Sequence, residues 1–278
     1  MENYLINNID SIEQIKNFEN IKKTIDYKIT INFEETSIKV FHDFINKHKI
    51  KNVYMDDNYK INIDIIEYNF GLYLFFVECV DKAYNYILNC KFNLELFGNI
   101  NIWNFCIVQN VMFNFPFTLE NIIYIPIKYI KENYANNDLL NLTRTIIHEK
   151  LHIGQRYNED LWSNYINIED ANWIKINKSD NKFIIIENNL KKNKADLINI
   201  NEEFIFNPDT YYENFKYLYK IDNNLYYGHY VYNSNNKNVS IRYFELNDVK
   251  KKLVKTNKKF EQEHPYEKYA YSISEKII

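Results

Sequence analysis

The chain has 278 residues, enough to bury a sizeable core as one large domain or two smaller lobes. Its 34 Lys and Arg against 37 Asp and Glu leave a net charge of −3, which offers no general attraction to nucleic acid. A hydrophobic content of 46% with 26% charged residues excludes a disordered chain.

Aromatic residues make up 17%, with 25 Tyr and 19 Phe, while Gly and Pro number four each. With abundant Asn, Ile and Lys, this composition fits AT-rich coding DNA, so the asparagines need no functional explanation one by one. Cys79, Cys90 and Cys106 form an odd set without ligand spacing, which points to a reducing compartment and small apolar packing roles. The first ten residues lack the basic start and apolar run of a signal peptide. The longest apolar run, residues 72–80, is too short for a bilayer and contains Glu78. An intracellular protein that is neither secreted nor membrane-anchored is expected.

Residues 27–33 alternate as a strand, and Thr36 or Ser37 starts a helix that buries Ile38, Phe41 and Ile45. Residues 60–70 read as another strand. After Gly71, residues 72–90 are apolar nearly all round in their first half, which predicts a buried helix. His42 and His48 read as ordinary surface histidines. Residues 92–129 are rich in Ile, Phe and Val with short polar breaks and predict several strands. Among these, 121–125 is the candidate edge strand, because Pro126 limits pairing at its end; an internal core strand is the alternative.

Residues 143–156 contain His148-Glu149-Lys150-Leu151-His152, the pattern HExxH. Leu139, Leu142, Ile146 and Ile153 recur at helical spacing, and Asn137 or Asp138 stands where a cap is needed. The four-residue separation stacks the two imidazoles one turn apart on one face, within reach of a single ion. In a zinc hydrolase this provides two neutral nitrogen ligands and a carboxylate, Glu149, beside the water to be activated.

Beyond this helix lies a polar stretch with Trp162, Trp173 and the pair Glu169-Asp170. Asn207-Pro208-Asp209 signals a turn, and residues 225–232 and 239–246 read as hairpin partners. The lysines between 250 and 259 read as a solvated connector rather than a nucleic-acid patch. Pro265 fits the first turn of a final helix that carries Glu267, Ala270 and Tyr271.

Taken together, HExxH with Gln155-Arg156, Asn207-Pro208-Asp209, and Glu263-His264-Pro265-Tyr266-Glu267 with Ala270 resemble the uncharacterised zinc metallopeptidase-like proteins of large double-stranded DNA viruses. The stretch 114–118 with Ile122-Ile123 is similar to a segment just before their metal helix, so the resemblance covers roughly residues 105–278. It implies a zincin-like lobe, one Zn²⁺, a peptide or protein substrate, and a place in the cytoplasm, an infected host cell or a virion. The expected fold is therefore α+β, with an N-terminal βα scaffold lobe over 1–100 packed on a zincin-like catalytic lobe over 101–278 as one compact unit. In zincins the strand before the metal helix forms the lip of the cleft and pairs with the extended substrate, the role expected for 121–125.

Gln155 and Asn158 stand where the metzincin pattern HExxHxxGxxH needs Gly and His, so that subclass fails and a carboxylate third ligand is expected. Glu267 is the first choice, with Glu169, Asp170 and His264 as alternatives. Cys106 raises the alternative of a deformylase-like site, but its Phe105-Cys106-Ile107 context lacks that family's pattern. Asp209 is a candidate to orient the imidazoles. Tyr243 or His229, on the Tyr-rich strands, is the candidate oxyanion donor. The expected reaction is hydrolysis of a peptide bond with Glu149 as base and acid; the alternative is a catalytically silent zinc-binding or virion structural protein.

Overall fold

The computed structural model describes residues 28–33, 70–108, 115–192, 194–205, 207, 209–210, 215–236, 238–258 and 264–278. The helix expected to bury Ile38, Phe41 and Ile45, the strand over 60–69, His42, His48 and Asn114 lie outside the described residues. The fold is α+β, as the mixed periodicities predict.

The first half contributes β1 (Lys28–Phe33), α1 (Phe70–Leu88), a 3₁₀ turn (Leu94–Phe97), β2 (Ile102–Val108), β3 (Phe117–Leu119), β4 (Ile122–Pro126), α2 (Ile127–Ala135) and α3 (Leu139–Tyr157). Its sheet has the order β1-β2-β4-β3, with β1, β2 and β4 parallel and β3 antiparallel to β4. The pairing of Lys28–Phe33 with Ile102–Ile107 ties the sheet together across residue 100, where the sequence suggested a lobe boundary. The edge-strand expectation needs correction. Strand β4 is flanked on both sides, and among the described residues the edge is β3, because the turn at Glu120 folds the preceding residues back along it. Pro126 does end the strand, and its extended backbone leads directly into α2.

Helix α3 is the centre of the first core. Asp138 caps it, its Oδ1 accepting the Asn141 N–H at 3.0 Å. Leu142, Ile146, Ile147 and Leu151 are completely buried against α1, whose Phe76, Val80, Ala83 and Ile87 face them. Each such aliphatic side chain stabilises the fold by about 1.5–3 kcal/mol relative to exposure. Close approach on another side requires Gly154: a Cβ there would lie 1.8 Å from the Leu96 carbonyl oxygen of the 3₁₀ turn. Lys150 is buried too, donating to the Asn99 and Ile102 carbonyls at 2.8 and 2.7 Å over the Trp103 ring. Burial pulls its ammonium down to about 7.

The second half runs α4 (Glu159–Glu169), β5 (Trp173–Asn177), α5 (Asn181–Lys192), the one-turn α6 (Lys194–Leu197), β6 (Glu202–Phe204), β7 (Phe215–Ile221), β8 (Asn224–Asn233), β9 (Asn238–Asn247), β10 (Lys252–Lys255) and α7 (Pro265–Ile277). The sheet order is β10-β9-β8-β7-β5, with β6 beside β8, and all pairs are antiparallel. The expected hairpin forms, pairing Leu225 with Leu246 through Tyr232 with Val239. Part of the lysine run, Lys252–Lys255, extends this sheet as β10.

This second sheet stands between two cores. Tyr217 joins the core around α3, whereas Leu218, pointing the opposite way, joins Phe183, Ile186, Val231 and Phe244 in a second core. Helices α4 and α5 arise in the stretch that reads as merely polar; α4 buries Trp162 and Ile166 and α5 buries Phe183 and Ile186, one turn of apolar residues each. Among the described residues no helix is long and apolar enough to cross a membrane.

Candidate metal centre

Two elements far apart in sequence meet to make the site. Helix α3 supplies His148 and His152; α7, packed across it, supplies Glu267 from its first turn. His264 caps α7, its Nδ1 accepting the Tyr266 N–H at 3.2 Å, and Pro265 occupies the first helical turn. Tyr266 is completely buried against Trp162 and Tyr217, which fixes the position of α7 on the core.

His148 Nε2 and His152 Nε2 lie 2.9 Å apart; Glu267 Oε2 is 3.4 Å from the first and Oε1 3.6 Å from the second. Tetrahedral zinc with bonds of about 2.0–2.1 Å separates neighbouring ligand atoms by about 3.3–3.4 Å. The two imidazole nitrogens stand closer than that and each faces a different oxygen of the Glu267 carboxylate, so the three side chains converge on one point where a small ion would draw the nitrogens slightly apart. All three residues are buried, at 7%, 0% and 4% exposure, and Glu149 beside them at 3%.

The surroundings orient the donors. Gln155 Oε1 lies 2.7 Å from His152 Nδ1, and Gln155 Nε2 donates to the Tyr266 carbonyl at 2.9 Å. An amide oxygen only accepts, so in a neutral ring Nδ1 would carry the proton and Nε2 would be the nitrogen left to face an ion. Asn207 Nδ2 donates to Glu267 Oε1 at 2.9 Å. His148 Nδ1 and Glu149 Oε2 are buried with no partner among the described groups.

Electrostatics favour a cation here. Burial holds the His148 imidazole below its usual range. Burial pulls His152 down as well, but Glu267, Asp209 and Glu149 outweigh it and raise the ring to about 10. Burial, then the neighbouring Asp209, pushes the Glu149 carboxyl well up, and Asp209 is raised by burial too. Burial opposes ionisation of Glu267, yet the two histidines hold it well below the ordinary carboxylate range. A divalent ion between these side chains would take the place of the proton that the carboxylates favour on His152.

Glu149, His152 and Asp209 also lie within ligand distance of one another. His152 has one nitrogen free of Gln155, so this second group is no independent site and competes for the same Nε2.

Of the candidates for a third ligand, Glu267 is the one brought to the two histidines. Glu169 is exposed at the end of α4, Asp170 pairs with Lys268 at 2.9 Å, and His264 is committed to its cap. Cys106 lies on β2, outside the cluster. Asp209 sits near the site but does not orient the imidazoles: its Oδ1 accepts from Thr118 N at 2.6 Å and Thr118 Oγ1 at 2.8 Å.

The oxyanion candidates divide. His229 faces the second core, with Phe204 against its ring and Tyr227 OH 2.9 Å from its Nδ1, so it points away from α3 and burial holds it at about 3. Tyr243 pairs with Gly228, on the sheet face that carries Tyr226 and Tyr219 towards the first core, two strands from Tyr217. A residue that sequence reasoning did not assign is Tyr271, one turn after Glu267, whose ring centroid is 4.2 Å from that of His148. At 47% exposure it is the solvent-facing wall of the site. Its i+4 spacing from Glu267 was the available signal.

No family model, curated protein or solved structure matches this chain.

Proposed function

We propose that the chain is a zinc-dependent hydrolase of peptide bonds. The observation that carries this reading is the convergence of the buried His148 Nε2, His152 Nε2 and Glu267 carboxylate within 3.6 Å of one another, a donor set that suits zinc, with Glu149 on the same helix beside it. Zinc supplies Lewis acidity, lowering the pKa of water and polarising a scissile carbonyl. Gln155 and Asn207 hold the ligating groups in place. Glu149, with Oε2 uncommitted, accepts the proton of the attacking water and returns it to the leaving amine as the C–N bond breaks. A peptide is the proposed substrate because β3, the outer strand of its sheet among the described residues, packs beside α3 and is linked to it through Arg156.

Metal analysis of protein purified without a His tag, followed by cleavage of a mixed peptide library, tests the proposal. One zinc per chain and turnover that falls about 10²–10⁴-fold in Glu149→Gln, with zinc retained, are expected. Loss of zinc-dependent cleavage in neither Glu149→Gln nor His152→Ala overturns it. The burial of every ligand favours a second reading, a closed zinc site in a catalytically silent protein. That reading predicts stoichiometric zinc with no cleavage of the library by the parent.

A further inference from the structure

The outer side of strand β3 presents one residue, Thr118. Thr118 pairs with Ile123, and its N–H and C=O point away from β4, because successive residues of an antiparallel strand alternate between bonding the neighbour and facing outwards. An added substrate strand would offer two groups to Thr118: a carbonyl for its N–H and an N–H for its carbonyl. Both positions are filled from within the chain. Asp209 Oδ1 accepts from Thr118 N at 2.6 Å and from Thr118 Oγ1 at 2.8 Å. Arg156 Nη2 donates to Thr118 O at 3.2 Å and to Thr118 Oγ1 at 2.8 Å, while its Nη1 donates to Glu120 O at 2.7 Å.

The location of this pair matters as much as its bonding. Arg156 lies one turn beyond His152 on α3, and the Asp209 carboxylate lies within ligand distance of both Glu149 and His152. The carboxylate that satisfies the edge strand therefore also stands within 4.8 Å of the proposed base. An extended peptide aligned on β3 would have to take Asp209's place at Thr118 to bring its scissile bond beside Glu149.

We propose that Asp209 and Arg156 mimic a bound substrate strand at Thr118, so that this structure is the latent form of the site and an extended peptide engages it by displacing Asp209 from the Thr118 amide. This rests on the peptidase reading for its substrate class, but its test reads binding separately from cleavage. The zinc-loaded full chain carrying Glu149→Gln, which leaves peptide intact, is compared with the same chain carrying Asp209→Ala as well. The probe is a fluorescein-labelled mixed dodecapeptide library followed by anisotropy.

Removing one charge-assisted competing hydrogen bond should tighten library binding about tenfold. Amide exchange at Thr118 should be slow in the Glu149→Gln chain, fast after Asp209→Ala, and slow again with saturating library. Equal affinity in the two chains, or a Thr118 amide that peptide does not protect, overturns the proposal. Should Asp209→Ala fail to fold by circular dichroism, Asp209→Asn, which keeps an oxygen but loses the charge, replaces it with the same direction expected. Restoring Glu149 separates the two readings. Library that binds the Asp209→Ala chain more tightly but is never cleaved refutes the hydrolase and leaves the mimicry standing. Equal cleavage by parent and Asp209→Ala supports the hydrolase and overturns latency.

Discussion

Gln155 Oε1 sits 2.7 Å from His152 Nδ1, and the other end of the same amide holds the Tyr266 carbonyl on α7. One side chain thus sets the tautomer of a histidine of the proposed metal site and ties the helix bearing His148 and His152 to the helix bearing Glu267. Substituting Gln155 by Leu removes the acceptor of His152 Nδ1 and the side-chain link to the Tyr266 carbonyl. We expect zinc affinity to fall about 10–100-fold, measured by competition with a chelator. Gln155→Glu retains an acceptor for Nδ1 and should lose less; equal affinity in Gln155→Leu and the parent would remove this residue from the site.

Gly154 is required by contact rather than by backbone conformation. An alanine there would place its Cβ 1.8 Å from a backbone oxygen, that of Leu96, and backbone does not yield as a flexible side-chain end does. Gly154→Ala should destabilise the protein by about 3 kcal/mol or more, read from the denaturant midpoint. Because the clash pushes α3 away from the 3₁₀ turn, zinc content should fall with it. A variant with unchanged midpoint would show that the two elements separate freely.

The second core carries its own pH dependence. Glu187 is desolvated, which opposes its charge, but Lys216, paired with it, and Lys191, 2.9 Å away, outweigh burial and hold it at about 2. An unfolded glutamate titrates near about 4.3. A carboxyl depressed in the fold stabilises it fully above the unfolded value and loses that contribution as pH falls from about 4.3 towards 2. The thermal midpoint of the parent should therefore drop across that interval, and Glu187→Gln should flatten the drop. Parallel profiles for the two proteins would exclude this ion pair as the cause.

The sequence alone determined the local parts of this protein. The 3.6-residue period around Leu142, Ile146 and Ile153 specifies α3, the four-residue spacing places His148 and His152 on one face of it, and Pro265 starts the helix that carries Glu267. Alternation and turn residues likewise specify the β8–β9 hairpin. These features are legible because each depends on neighbours within a turn or a strand length. Helices α4 and α5 were not, since their apolar stripes are narrow and interrupted by Asn and Lys that tertiary packing tolerates on the outer face. Strand order was not legible either: β3 rather than β4 became the edge because a three-residue strand folded back at Glu120, and nothing local distinguishes the outer partner of a hairpin from the inner one. The proposed third ligand, the Gln155 and Asn207 contacts and the occupation of Thr118 by Asp209 and Arg156 join residues 38 to 119 positions apart, apart from the one-turn link within α3. Only the packing of α7 across α3 and of the edge strand beside it could decide those, because the energy that selects them is burial of side chains against surfaces the chain makes only once it is folded.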